Sequence, residues 1–269
     1  MWLRAFCWLI LALLALPAYA DPILGTAGSF GVLGSTVTNT TGSTAITGNV
    51  GVSPTGFPPG TATGTIYNSA VPITSQAQSD ASAAYTGLAG MAVPPGNDLT
   101  GTDLGGLELT PGVYKFDSSA DLTGTLILNG KSDNNDLWVF LIGSTLTTAS
   151  DSSVNVSNAG SNDGIFWDVG STATLGASTE FEGNILAVAT VTLGNGTTIG
   201  CGSALAPTVT MNTNTISTGC GGGGTITIGG VVTADFPSGP SPVPEPGSMA
   251  LLGSGLVALA GLVRRKLRK

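Results

Sequence analysis

The sequence predicts an all-β chain wound as a β-solenoid, and three observations predict it. The first is composition. Of 269 residues, 36 are threonine and 41 glycine, only 9% are charged, and β-branched residues stand between Gly, Asn and Ser clusters. The second is a recurring triplet with an apolar centre and polar flanks. It appears as Thr36-Val37-Thr38, Asp98-Leu99-Thr100, Asp121-Leu122-Thr123, Thr145-Leu146-Thr147, Thr172-Ala173-Thr174, Thr190-Val191-Thr192 and Thr208-Val209-Thr210. From centre 99 to centres 122, 146, 173, 191 and 209 the steps are 23, 24, 27, 18 and 18 residues. The third is that each repeat holds two more strand-like pieces. One is headed by Leu126, Val154, Phe181, Ile199 or Ile216. The other is more apolar: Val113 to Phe116, Leu137 to Ile142, Ile165 to Val169, Asn184 to Ala189 and Ser203 to Ala206. Three short strands in a turn of about 20 residues is solenoid arithmetic.

In chain order, residues 1–20 are a targeting segment. Arg4 gives the basic start, Phe6 to Leu16 the apolar stretch, and Ala18-Tyr19-Ala20 a small-residue cleavage site. The stretch is short for a membrane span and the cleavage site follows at once, so a cleaved signal peptide is expected, taking Cys7 with it. Residues 21–236 form the solenoid domain. The unequal steps place insertions at its corners, in Gly130 to Asp136 and Asn158 to Asp163. One segment breaks the pattern: Ile73, Ala77, Ala81, Ala84, Leu88 and Ala92 recur at helical spacing. This predicts a helix over about 73–92, capped by Thr74 or Ser75 and ended by Pro94-Pro95-Gly96, lying flat on another element through its small residues.

Residues 237–269 form a linker and a sorting or anchor segment. A Pro-rich stretch leads to an apolar run from Met249 to Val263, then to Arg264, Arg265, Lys266, Arg268 and Lys269. The run is at the short end for a transmembrane helix, and its basic flank would stay cytoplasmic. Val243-Pro244-Glu245-Pro246, the apolar run and the basic end, in that order, resemble the PEP-CTERM sorting signal of Gram-negative bacteria. That resemblance implies processing by an exosortase and a protein that is secreted or anchored at the cell surface. An ordinary tail anchor is the competing reading, but it leaves the N-terminal signal unexplained.

With both ends set aside, Lys115 and Lys131 face fifteen acidic residues between Asp21 and Val243. That balance argues against nucleic acid or anionic lipid as partner. Cys201 and Cys220 remain, and an even pair in an exported chain is expected to be a disulfide.

Several stretches are similar to the bacterial and fungal ice-binding family known as DUF3494. They are Leu24 to Phe30, Thr47 to Pro54, Leu109-Thr110-Pro111-Gly112-Val113-Tyr114, Gly143 to Thr148 and Gly183-Asn184-Ile185-Leu186-Ala187. The resemblance runs from about Leu24 to Thr218. It implies a right-handed discontinuous β-helix of triangular section with one long α-helix alongside, and an antifreeze or ice-binding activity. A monomer is expected. Gly221 to Gly224 with the following strand, and the C-terminal signal, depart from the family pattern.

In a strand, residues i and i+2 share a side. The apolar triplet centres should therefore face inward and their neighbours outward. Two files result: Thr36, Thr145, Thr172, Thr190 and Thr208, interrupted by Asp98 and Asp121; and Thr38, Thr100, Thr123, Thr147, Thr174, Thr192 and Thr210. Threonine suits ice physically, because its χ1 is stiff and each side chain offers a methyl and a hydroxyl in a fixed lattice. High β-propensity explains exposed Thr without any ice, so the regularity of the files carries the argument. Any of the three faces could be the one that meets ice.

Other chemistry is thin. The absence of His excludes Ser-His-Asp catalysis and His metal sites. Glu180 and Glu182 share one strand, which cannot place them on opposite sides of a glycosidic bond, so both are expected on solvated surface. Asp133-Asn134-Asn135-Asp136 lacks the spacing of a known Ca²⁺ loop and is expected to be a turn. No enzyme, metal or cofactor is expected. A surface adhesin or exopolysaccharide matrix protein on the same solenoid is the competing class. A polysaccharide lyase would want more basic residues than the body has.

Overall fold

The computed structural model describes residues 23–52, 61–68, 71–220, 225–228 and 231–235. The N-terminal targeting segment, the C-terminal sorting segment and the Gly221 to Gly224 run lie outside them. The solenoid is there as three parallel sheets. A helix-covered sheet stacks strands 66–67, 49–52, 30–34, 204–205, 184–187, 164–169, 137–142 and 112–116. A sheet of mixed side-chain chemistry, here the mixed sheet, stacks parallel strands 61–62, 45–47, 215–217, 198–201, 180–182, 153–157, 125–129 and 108–109. A threonine sheet stacks 36–39, 208–211, 190–193, 172–175, 146–148 and 120–122. Beyond the last coil, strands 225–228 and 231–235 pair as an antiparallel hairpin.

The strand order makes the solenoid discontinuous. Strand 30–34 lies between 49–52 and 204–205, so the first coil is stacked on the last. Strand 36–39 pairs with 208–211, and 45–47 with 215–217, in the same way. Helix α1 (Pro72–Ala89) comes between the first coils and the coils that begin at the other end of the stack. At 18 residues it is about 27 Å long, against about 33 Å for the seven spacings of an eight-stranded sheet. It therefore can span most of the sheet it covers.

The helix differs from expectation at both ends. Val71 is the N-cap and Pro72 the first helical residue, where its missing N–H costs nothing. Thr74 acts from N3, its hydroxyl donating to the Val71 carbonyl at 2.9 Å and accepting the Val71 N–H at 3.2 Å. The helix stops at Ala89, before the Pro pair. Thr74, Ala77, Ala84 and Leu88 are buried while Ile73 is exposed, so the inner face starts one residue later than the apolar spacing suggests.

Because α1 covers one face, the covered strands are apolar on both sides, as buried parallel strands are. In strand 137–142, Trp138, Phe140 and Ile142 join the solenoid core, whereas Leu137 and Val139 join Phe166, Leu186, Leu205 and the helix. Register converts these positions into ladders. Tyr114, Phe140 and Trp167 are in register on adjacent strands and stack at 5.6 and 3.9 Å between centroids. Asp80 fixes the helix to the 3-10 turn Thr26–Ser29, accepting from the Thr26 N–H at 2.8 Å and hydroxyl at 2.6 Å. These hydrogen bonds, opposed by burial, hold its carboxyl below the usual value.

The corner between the threonine and mixed sheets is built from polar residues. Ser152, Thr179, Thr197, Asn214 and Thr44 are all buried, each two residues before the inward apolar residue of a mixed-sheet strand. Ser152, Thr179, Thr197 and Asn214 add a side-chain donor to carbonyls at the corner, most of which also accept a backbone N–H. Ser152 donates to Leu122 O at 3.0 Å, Thr197 to Gly176 O at 2.8 Å, and Asn214 to Gly194 O at 2.7 Å and Thr197 O at 3.2 Å. Asp151, Ser178, Gly196 and Thr213 turn this corner with positive φ. At the corner that leaves the mixed sheet, Gly183 has φ 110°, and a Cβ there would meet Ile165 and Trp167. Asn214→Ala should therefore remove the side-chain donor from the Gly194 and Thr197 carbonyls, each of which keeps a backbone N–H, and cost about 1–3 kcal/mol for the two hydrogen bonds lost, read as a lower urea midpoint with an unchanged slope.

Candidate functional site

Of the three outer faces, one is occupied by α1. The other two differ in charge. The mixed sheet presents Glu108, Glu180 and Glu182 among Thr, Ser and Asn. In the threonine sheet, the five strands 36–39, 208–211, 190–193, 172–175 and 146–148 contain no charged residue at all.

The threonine sheet is in register residue by residue. Thr36, Thr208, Thr190 and Thr172 are direct partners, and so are Thr38, Thr210, Thr192, Thr174 and Thr147. Thr145 continues the first file one residue ahead of Leu146, its hydroxyl donating to Ser119 at 2.8 Å. Between and behind the files, Val37, Val209, Val191, Ala173, Leu146 and Ala120 form one buried row, and Met211, Leu193, Leu175, Thr148 and Leu122 another. Successive threonines in a file are thus about 4.7–4.9 Å apart, and the two files about 6.5–7 Å apart. Thr38 donates to Thr210 at 3.3 Å. Among the described residues, the hydroxyls of Thr147, Thr172, Thr174, Thr190, Thr192 and Thr208 have no protein partner, which leaves them to water.

Two predicted members stand elsewhere. Strand 120–122 pairs two residues away from the expected register, which keeps each side chain on its face: Asp121, not Thr123, opposes Thr147, and Leu122 opposes Thr148. Asp121 thus ends the second file rather than interrupting the first, and Asp103 bridges to it. Thr123 lies past the strand, its N–H donating to Asp103 at 2.9 Å. The Asp98-Leu99-Thr100 triplet is not in this sheet. Asp98 bridges to Lys115 of the covered sheet, and Thr100 lies in a turn where it donates to Asp98 at 2.6 Å. Ten of the twelve predicted threonines therefore share one face. Ser119 completes the first file; Ser119-Ala120-Asp121 is itself a polar–apolar–polar triplet, overlapped by the closer sequence match Asp121-Leu122-Thr123 two residues on.

Residues 32–217 match the ice-binding-like family. The chain belongs to that family. An ice-binding protein of Nostoc sp. (strain HG1) is 50% identical over 255 residues, covering 92% of this chain and 88% of its own length. The crystal structure of the ice-binding protein from the Antarctic ascomycete Antarctomyces psychrotrophicus superposes with a TM-score of 0.68 at 37% identity, covering 72% of this chain and 96% of the other. The DUF3494 domain of Shewanella frigidimarina ice-binding protein 1 does so with 0.65 at 26% identity, over 76% and 99%. Residues 242–268 match the PEP-CTERM protein-sorting motif, which marks export and surface sorting. Among the described residues, no helix is long and apolar enough to cross a membrane.

In this ice-binding-like chain the strongly perturbed carboxyls lie away from the threonine sheet. Asp168 is 3% exposed on the helix-covered sheet, two residues from Phe166, with Oδ2 lacking a partner among the described residues. Burial pushes its pKa up to about 7. Burial also raises Tyr85 of α1, and the charge of Asp168 adds to it. Burial takes Asp136 up to about 6, with help from Asp163 and Asp133. The Asp133 to Asp136 stretch is a turn stacked on the next insertion, where Asp163 accepts the Asp136 N–H at 3.0 Å and the Gly160 N–H at 2.8 Å. Glu182 is not the freely solvated acid the sequence suggests. It is half-buried beside the Cys201–Cys220 disulfide, and burial raises it to about 6.

These three acids bind protons more tightly folded than unfolded, where carboxyls titrate near 4. Their linkage makes stability fall as pH rises from about 4 to about 7, then level off. The melting temperature should follow that course, and Asp168→Asn should flatten it and raise stability most at pH 8, as thermal scans across pH would reveal.

Proposed function

We propose that this chain is an exported ice-binding protein that adsorbs to ice through the threonine sheet. The observation that supports the reading most is the ten-threonine array on five uncharged strands, set on a rigid solenoid. Each contact with lattice water is weak, so binding needs many at once, held in place before ice arrives. Stiff side chains on an in-register sheet meet that need with little entropy lost on binding. Methyls order cage-like water, and the unpartnered hydroxyls tie it to the protein. The names of the relatives support the same reading. Adsorption of this kind inhibits ice growth and recrystallisation, or holds a cell at ice where the sorting segment retains the protein at the surface. Residues 1–20 act as the signal peptide, 21–236 as the ice-binding domain and 237–269 as the linker and sorting segment cut by an exosortase. The function needs no catalytic group or cofactor, and ice is the partner rather than nucleic acid.

An adhesin or exopolysaccharide matrix protein on the same scaffold would stay in the liquid when a solution is slowly frozen, whereas an ice binder enters the ice. Thr174→Tyr and Thr192→Tyr should each abolish most thermal hysteresis and recrystallisation inhibition in a protein whose circular dichroism is unchanged. Thr198→Tyr and Thr215→Tyr on the mixed sheet should leave both intact. The reverse pattern would move the site to the mixed sheet.

A further inference from the structure

We propose that reduction of the Cys201–Cys220 disulfide opens a three-ligand site, completed by Glu182, for a thiophilic divalent cation of the zinc class. Glu182 and Cys201 are register partners on neighbouring strands of the mixed sheet. Cys220 follows the last mixed-sheet strand, its Cα 5.0 Å from that of Cys201. A Glu182 carboxylate oxygen and both sulfurs lie within 4.8 Å of one another. Oε2 of Glu182 is buried without a hydrogen-bond partner among the described residues. The carboxylate sits where a Cβ on residue 200 would be, so Gly200 leaves it room.

The backbone of this junction is held by bonds that do not involve sulfur. Gly183 N–H donates to Cys201 O at 2.6 Å, Trp167 Nε1–H to Glu182 O at 3.0 Å, and Asn184 Nδ2–H to Cys220 O at 2.5 Å. The three ligands therefore stay together when the S–S bond is broken. With a phosphine reductant, water supplies oxygen to form the phosphine oxide, the S–S bond breaks, and the two hydrogens of that water go to the two thiols. A divalent cation then displaces both thiol protons. Two sulfurs on one tetrahedral metal stand about 3.8 Å apart, given a Zn–S bond of about 2.3 Å. Two thiolates, one carboxylate and an open fourth position suit zinc, not Ca²⁺ or Mg²⁺, which want six or more oxygens. The bound cation would restore the staple between the chain after the last coil and its neighbouring strand.

The test uses the full chain with Cys7→Ser, reduced with a phosphine, desalted without oxygen and titrated with Co²⁺. The expected result is a thiolate-to-cobalt charge-transfer band at one equivalent, absent from the oxidised protein. E182Q should weaken Co²⁺ binding by about tenfold or more, the scale on which even outer-shell partners act. Zn²⁺ should raise the melting temperature of the reduced protein and leave the oxidised one unchanged. No band on reduction, an equal band without reduction, equal affinity in E182Q, or loss of the native circular dichroism on reduction would each overturn the proposal.

Discussion

In-register parallel stacking is the constraint on which the rest of this molecule depends. Every coil must present the same kind of side chain at the same point of its cross-section, because the neighbouring coil lies only about 4.8 Å away. A residue choice is therefore made for a column, not for a position. The aromatic column Tyr114, Phe140 and Trp167, the aliphatic column Val209, Val191, Ala173 and Leu146, and the threonine files are consequences of one rule. The flat outer array and the packed core are two sides of the same strands. Threonines cannot shift relative to one another without dislodging the valines between them.

The rule also explains where polar groups go inside. A solenoid corner interrupts the ladder on each coil, and it does so at the same height every time. The corner carbonyls consequently form a column, and the column is answered by another of Ser152, Thr179, Thr197, Asn214 and Thr44. Thr148 replaces the leucines of its own inner row because it takes part in this corner, its hydroxyl 2.9 Å from that of Thr179. The discontinuity adds a further requirement. The first coil supplies one strand to each sheet beside the last coil, from about 170 residues away in sequence, so Thr36 and Thr38 join the array only when the whole chain has folded.

Legibility in the sequence followed the regularity of the columns. The 18-residue steps between 173, 191 and 209 carried the register intact, since coils of equal length leave no freedom in pairing. The helix was readable because its spacing broke the strand period, but its first turn was not, as Pro72 and a back-bonding Thr74 displaced the expected cap. Register failed to be readable where the repeat lengthens. Asp98 to Thr102 and Asp121 to Thr125 are identical in sequence, yet Asp121 and Leu122 end a threonine-sheet strand while the former stretch joins no sheet and belongs to the turn-rich cap over Lys115. Similarity of a five-residue string says nothing about which neighbour it pairs with. The corner column is hidden in the sequence for a different reason: a buried Thr and an exposed Thr look alike until the inward apolar residue two positions later is used as the reference.

Charge placement gives the array its boundary. Asp121 occupies the point of the second file next after Thr147, and Asp103 bridges to it from the cap. A carboxylate holds its own hydration tightly and cannot share a lattice water on the same terms as a threonine. The array thus ends at strand 146–148 although the sheet continues. At the other edge, strand 36–39 keeps the pattern to the last described strand of that sheet. The threonine array is therefore bounded by two different devices: at one end a substitution within the column, at the other the inserted first coil. Lengthening such a face requires both an equal-length coil and a threonine at each outward point, which is why the three 18-residue-spaced triplets, and not the longer repeats, form its centre.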